Sequence, residues 1–308
     1  MRNNLTVAII LLLGIFVGVP EALNQIGELR CVARQWANLG LSTGLVNASA
    51  HDATNVETKQ LIMLVQTEQS ANEFRWHGQL AQGRSIEIKG INGNVSAEPA
   101  SGNEVEVVAA KRARRSDPGG VQVQVIEHAG GVTICAVYPS PDSNKPNRCD
   151  VGSAWNSHVN NNDVNVNFTV RVPQGIRFVG RTINGQIETG ALGSDVEAYT
   201  VNGSIKLQAA GFAQANTVNG SITATVGKAD WSNALEFETV NGGITLDLPA
   251  GTNTEVEAET VNGDIMSDFP LTVQGRFSRK HLNGTIGSGG RQLKLKTVNG
   301  NVQLRRAS

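Results

Sequence analysis

Charged and aromatic residues are both scarce in this 308-residue chain, at 17% and 5%. Soluble domains usually carry roughly 25% charged residues. The formal net charge of −1 supplies no global field for a polyanion, so no nucleic-acid partner is expected. Catalytic signatures are lacking as well: the chain has no P-loop, G-x-S-x-G elbow, H-E-x-x-H or EF-hand string. Its five histidines (His51, His77, His128, His158 and His281) stand apart, and its three cysteines form no C-x-x-C pair. Neither a zinc site nor any cofactor is expected from such spacing. Strong helix formers are few, which excludes a helical bundle.

Gly at 34 and Asn at 29 are what the chain has in excess, and they favour many turns between short strands. The longest apolar run, residues 5–19, follows Arg2 and reads as an export signal, either cleaved near residue 22 or retained as a membrane anchor. Residues 23–75 read as a segment of unknown role, with one amphipathic helix over 23–39 and a small, polar linker after it. Export agrees with cysteine usage. Cys135 ends an apolar run, and a polar loop of roughly 15 residues could bring Cys149 back to it as a disulfide, leaving Cys31 odd.

From Trp76 the pattern is β. Apolar residues alternate at Ile86/Ile88, at Val105/Val107, at Val121/Val123/Val125 and from Val164 to Val172, with a turn at Asp117-Pro118-Gly119-Gly120. Residues 76–175 are expected to form a β-rich first part, and 176–308 a repeat array. The string Thr-Val-Asn-Gly-x-Ile recurs with corners at Asn184-Gly185, Asn202-Gly203, Asn219-Gly220, Asn241-Gly242, Asn262-Gly263, Asn283-Gly284 and Asn299-Gly300. A further copy, GINGNV at 90–95, stands apart upstream. Steps of 18, 17, 22, 21, 21 and 16 residues between successive Asn belong to stacked repeats with loops of variable length.

Asn-Gly serves both a type I′ hairpin and any tight corner that needs positive φ. Apolar residues six and four before each Asn from Asn202 onward, and an aliphatic three after it, define one inward face. Parity alone leaves a parallel β-solenoid and an antiparallel hairpin meander both open. The solenoid is favoured, because near-identical corners stack into ladders of identical side chains. Arg279 breaks the inward rule and marks an irregular coil.

Trp76-His77-Gly78, IEIKGINGNV at 86–95, GVTICAVYP with Cys149, VPQGIRFVGRTING at 172–185 and the TVNG array together resemble an exported bacterial β-strand-repeat family known as "putative adhesins". That resemblance covers roughly residues 76–308 and implies an envelope β-solenoid with no catalytic residues to carry over. The expected function is noncatalytic surface interaction at the periplasm, cell surface or exterior, with a glycan, lipid or protein as partner. A carbohydrate-active β-helix enzyme and a structural scaffold are the competing classes.

Positions five and three before each Asn point outward. They place Glu236, Glu238, Glu257 and Glu259 in what reads as an acidic column, the one candidate for calcium, although a flat face offers few of the ligands that ion needs. Lys294, Lys296, Arg305 and Arg306 read as protection of an open terminal edge. The basic run Lys111–Arg115 reads as a solvated hairpin end, with contact to phosphate-bearing lipid or nucleic acid as the functional alternative.

Overall fold

The computed structural model describes residues 66–153, 157–228, 231, 233–273, 278 and 280–307. The apolar run at 5–19, the expected helix at 23–39, Cys31, Phe277 and Arg279 lie outside them.

Twenty-two strands follow one another, with no α-helix among the described residues. The first eight are β1 (Gln66–Gln69), β2 (Glu73–Gln79), β3 (Ser85–Lys89), β4 (Val95–Pro99), β5 (Glu104–Arg112), β6 (Gln122–His128), β7 (Gly131–Val137) and β8 (Asn165–Val172). Paired strands then succeed each other: β9 (Arg177–Arg181) and β10 (Ile187–Leu192), β11 (Val196–Tyr199) and β12 (Ile205–Ala209), β13 (Ala213–Asn216) and β14 (Ile222–Val226), β15 (Leu235–Glu238) and β16 (Ile244–Leu248). The remainder are β17 (Thr254–Asn262), β18 (Ile265–Ser267), β19 (Leu271–Val273), β20 (His281–Ile286), β21 (Arg291–Asn299) and β22 (Val302–Arg306).

These strands form two eleven-stranded sheets. The first runs β1-β2-β5-β8-β4-β10-β12-β14-β16-β22-β18 and the second β19-β20-β17-β21-β15-β13-β11-β9-β3-β7-β6. Each Asn-Gly corner carries the chain from the second sheet to the first, and neighbouring coils pair in parallel, as in Val196↔Ala213 and Ile205↔Ile222. The stacked solenoid is therefore the architecture, and the hairpin meander is not. Both sheets run on across residues 175 and 176, since β3 pairs with β9 and β4 with β10. Inward residues meet between the sheets, where Val196, Ala198, Leu235, Phe237, Leu293 and Leu295 are fully buried.

The corner motif is explained atom by atom. Asn184 Nδ2 donates to Asn92 Oδ1 at 2.9 Å, Asn202 to Asn184 and Asn219 to Asn202 at 2.8 Å, and Asn241 to Asn219 at 2.8 Å. Each Thr hydroxyl donates to a glycine carbonyl of the adjacent coil, Thr200 to Gly185 and Thr217 to Gly203 at 2.9 Å and Thr239 to Gly220 at 2.8 Å. All three threonines are buried, so each hydroxyl needs its acceptor. Glycine is demanded by close approach more than by positive φ: a Cβ at Gly203 would fall on the carbonyl oxygen of Gly185, and one at Gly220 on that of Gly203. The upstream copy at Asn92 opens this ladder.

Two expectations are overturned. Asn283 and Gly284 form no corner; they lie within β20, which runs antiparallel to β17 with Glu257 opposite Asn283. His281 stands where the other six copies from Asn184 onward carry Thr, so this copy has no hydroxyl for a neighbouring glycine carbonyl. The last coil is also not at an open edge. Strand β21 lies between β15 and β17, and β22 between β16 and β18, so Lys294 and Lys296 sit inside the stack and serve no edge-protecting role there.

Candidate functional site

Extending the outward positions through the whole second sheet gives two columns that cross the strands. One runs Thr133, Glu87, Val179, Glu197, Gln214, Glu236, Lys294, Glu257 and Asn283; the other runs Cys135, Lys89, Arg181, Tyr199, Asn216, Glu238, Lys296, Glu259 and His281. Neighbours within a column are one strand spacing apart, about 4.8 Å.

At the end formed by the early strands, these outward residues are covered. Cys135 and Cys149 form a disulfide with their Cα atoms 5.5 Å apart, which ties the loop after β7 back onto the sheet. Lys89 Nζ donates to the Asp150 carbonyl, and Gly152 N donates to Glu87 Oε2 at 3.1 Å. Glu87 Oε1 meets Arg181 Nε at 2.9 Å, with the two side chains only 7% and 13% exposed. The Arg181 guanidinium lies 4.0 Å from the Tyr199 ring centroid, a cation–π contact. Tyr199 donates to Glu197 Oε2 at 3.0 Å, and Arg177 pairs with the other Glu197 oxygen. Burial lowers the pKa of Lys89, the nearby Glu87 opposing it, and raises that of Tyr199, with Arg181 opposing.

Further along, Asn216 is buried with both amide atoms unpartnered. Beside it, burial and then the charge of Glu236 raise the pKa of Glu238. The four glutamates form no acidic column, because the last coil separates them. Lys294 pairs with Glu236 at 3.2 Å, and Lys296 with Glu257 at 3.0 Å and Glu259 at 3.8 Å. His281 Nδ1 lies 3.2 Å from Glu259. Burial works against the charge on Lys296, but its hydrogen bond to Glu257 and the pull of Glu259 outweigh this and raise its pKa. Alternating signs thus replace the repulsion that a continuous carboxylate column would carry. No group of three or more His, Cys, Asp or Glu placed to hold a metal occurs among the described residues.

A groove of about 430 Å³ opens on this face across β20, β17 and β21. Glu255, Glu257, Asn283, Thr285, Gln292 and Lys294 border it with polar groups. Sequence reasoning that began its columns at Asn202 missed Glu87, Lys89 and Arg181. The signal was available, since Glu87 and Lys89 stand five and three residues before Asn92, and Arg181 three before Asn184.

Among solved structures, a "putative cell adhesion protein" from Clostridium sporogenes is 9% identical, covers 79% of this chain and 100% of its own, and has a TM-score of 0.42. A "putative adhesin" from Bacteroides fragilis is 13% identical over 77% of this chain and 98% of its own, with a TM-score of 0.32. No curated protein matches. The sequence matches the Toastrack DUF4097 family over residues 46–305, which takes in the corner ladder and both sheets. The chain belongs to that family.

Proposed function

We propose that the protein is a noncatalytic, exported surface-interaction module of the cell envelope, and that the polar outer face of the second sheet is its contact surface. The observation that carries this reading is the ladder of alternating charge beside the polar groove, with Lys294 paired to Glu236 and Lys296 to Glu257 and Glu259. Side chains held at strand spacing by ion pairs present a rigid, repeating pattern, and rigidity reduces the entropy lost when an extended partner binds. The carboxylates engage lysines across a flat face, an arrangement suited to complementary contact with a polar polymer such as a glycan.

Binding to glycan, lipid and protein panels, run beside a polysaccharide-degradation assay, tests the proposal. Binding without bond cleavage is expected, with at least about tenfold weakening in Glu236→Gln/Lys294→Gln. That half-buried ion pair is still open to solvent and its replacement by two neutral amides leaves no unpaired charge, so the variant should fold. Unchanged binding would remove the face from consideration, and release of new sugar ends would establish an enzyme instead.

A further inference from the structure

A second polar feature lies away from the charge ladder, where β5 ends and β8 begins. Arg112 pairs across the first sheet with Asn165, and the chain between β5 and β6 turns around Asp163. The Asp163 carboxylate accepts backbone N–H bonds from Arg114 at 3.2 Å, Arg115 at 3.1 Å and Ser116 at 2.8 Å. The Ser116 hydroxyl in turn accepts from Asp163 N at 3.1 Å. These bonds, led by that of the Ser116 N–H, hold the Asp163 carboxyl down at about 2, so it stays ionised. Asn161, at φ 52°, makes the bend that brings Asn162 and Asp163 to the loop. Lys111 is buried behind, with its Nζ on the Val121 carbonyl at 2.7 Å.

The loop backbone is therefore fixed by an internal anion, while its arginine side chains stay outside that arrangement. Arg112, Arg114 and Arg115 are exposed and border one open pocket of about 930 Å³ together with Asn161 and Asn165. None of the three has a carboxylate partner among the described residues, although Arg75, Arg148 and Arg171 all have one. Asp163 lines the same pocket and keeps its charge, but its oxygens accept from backbone N–H groups and form no ion pair with the three guanidinium groups, so three arginines face one carboxylate and the pocket is net positive. Three guanidinium forks on an ordered loop suit an anion with several acceptor oxygens at one centre, and phosphate is that group.

We propose that the Arg112–Ser116 loop and the facing Asn161–Asn165 segment form a phosphate-binding pocket, and that the headgroups of an anionic lipid surface supply the phosphate. An exported chain meets such a surface, and each basic residue adds to its attraction. The pocket uses none of the charge-ladder residues, so it stands or falls separately from the contact face.

The test uses the full chain and phosphatidylcholine vesicles with and without phosphatidylglycerol. Whatever the apolar N-terminal run contributes is common to both vesicles, and the increment due to phosphatidylglycerol is the readout. That increment is expected to fall with added salt, to drop at least ~10-fold in Arg112→Gln/Arg114→Gln/Arg115→Gln, and to be displaced by inorganic phosphate. Glu236→Gln/Lys294→Gln should retain it. Vesicles made anionic with oleate control for bare charge, and an equal increment on them would overturn phosphate recognition. Inorganic phosphate raising the melting temperature of wild type but not of the triple variant, with no vesicle increment, would overturn the lipid source. An increment shared equally by wild type and the triple variant would overturn the pocket. Equal melting temperatures of the two proteins in chloride establish that the variant is folded.

Discussion

Asn262 donates its side-chain amide to Asn299 Oδ1 at 2.7 Å across 37 residues of sequence, passing over the Asn-Gly copy at Asn283. Asn299 donates in turn to Asn241 at 2.7 Å. The ladder thus runs through the coils in an order that differs from the chain, with the last coil, that of Asn299, in the place next to Asn241 that the coil of Asn262 would have taken.

Coil order can be read by disulfide trapping in a Cys31→Ser background that keeps the native bridge. Paired residues on adjacent strands lie about 4.8 Å apart, within the Cα range that disulfides accept. Glu238→Cys/Lys296→Cys and Glu259→Cys/Lys296→Cys should each oxidise within the monomer. Glu238→Cys/Glu259→Cys, two strand spacings apart, should stay reduced. Mass spectrometry of nonreduced peptides distinguishes the two outcomes.

Glycine at the corners should resist substitution where another coil presses on it. Gly220→Ala sets a methyl group on the Gly203 carbonyl and is expected to cost about 1–3 kcal/mol in denaturant unfolding, as overpacking does. Gly251→Ala meets nothing within 4 Å and should change stability by less than about 0.5 kcal/mol. Similar losses at both positions would contradict the stacked-corner account.

The amide ladder predicts a difference between two Asn-Gly copies. Asn219 donates to Asn202 and accepts from Asn241, so Asn219→Asp loses a donor and sets two oxygen acceptors against each other. A loss of about 1–3 kcal/mol is expected. Asn283 has no place in the ladder, and Asn283→Asp should shift the melting temperature far less.

Glu238 supplies a pH dependence whose sign follows from its raised pKa. The folded protein holds this proton more tightly than the unfolded chain, so the contribution to stability is full below the ordinary carboxylate range and is lost as pH rises through the folded value. Glu238→Gln should therefore melt higher than wild type at pH 7. The advantage should shrink as the pH is lowered, and a constant difference across the titration would exclude burial of the charge as its cause.

Much of this architecture was legible before any coordinates. Period-2 apolar residues fixed the inward face, and the residues so chosen, from Val196 and Ala198 to Leu293 and Leu295, are buried between the sheets. Parallel stacking followed from the near-identity of the corners. That same identity hid the coil order, since a Thr-Val-Asn-Gly corner can hydrogen-bond to any other. The discriminating information lay on the outer face, where Lys294 and Lys296 find carboxylates on both sides only between β15 and β17. His281 and Arg279 carried the remaining clue, because neither suits its place in the repeat. The loop around Asp163 was not legible, as it joins residues 47 and 48 positions apart through backbone amides that leave no pattern in side-chain type.

Insertion of β21 and β22 between strands made earlier bears on how the chain can be assembled as it is synthesised. Strands β17 and β18 emerge first, yet their parallel neighbours in the finished stack are β21 and β22, which emerge later. Until then, β15 and β16 present the growing end of the stack, and β17 and β18 can occupy it with the same corner chemistry and the wrong charges, glutamate against glutamate. Stacking in chain order would therefore set like charges against each other, whereas entry of β21 sets lysine against glutamate on both of its sides.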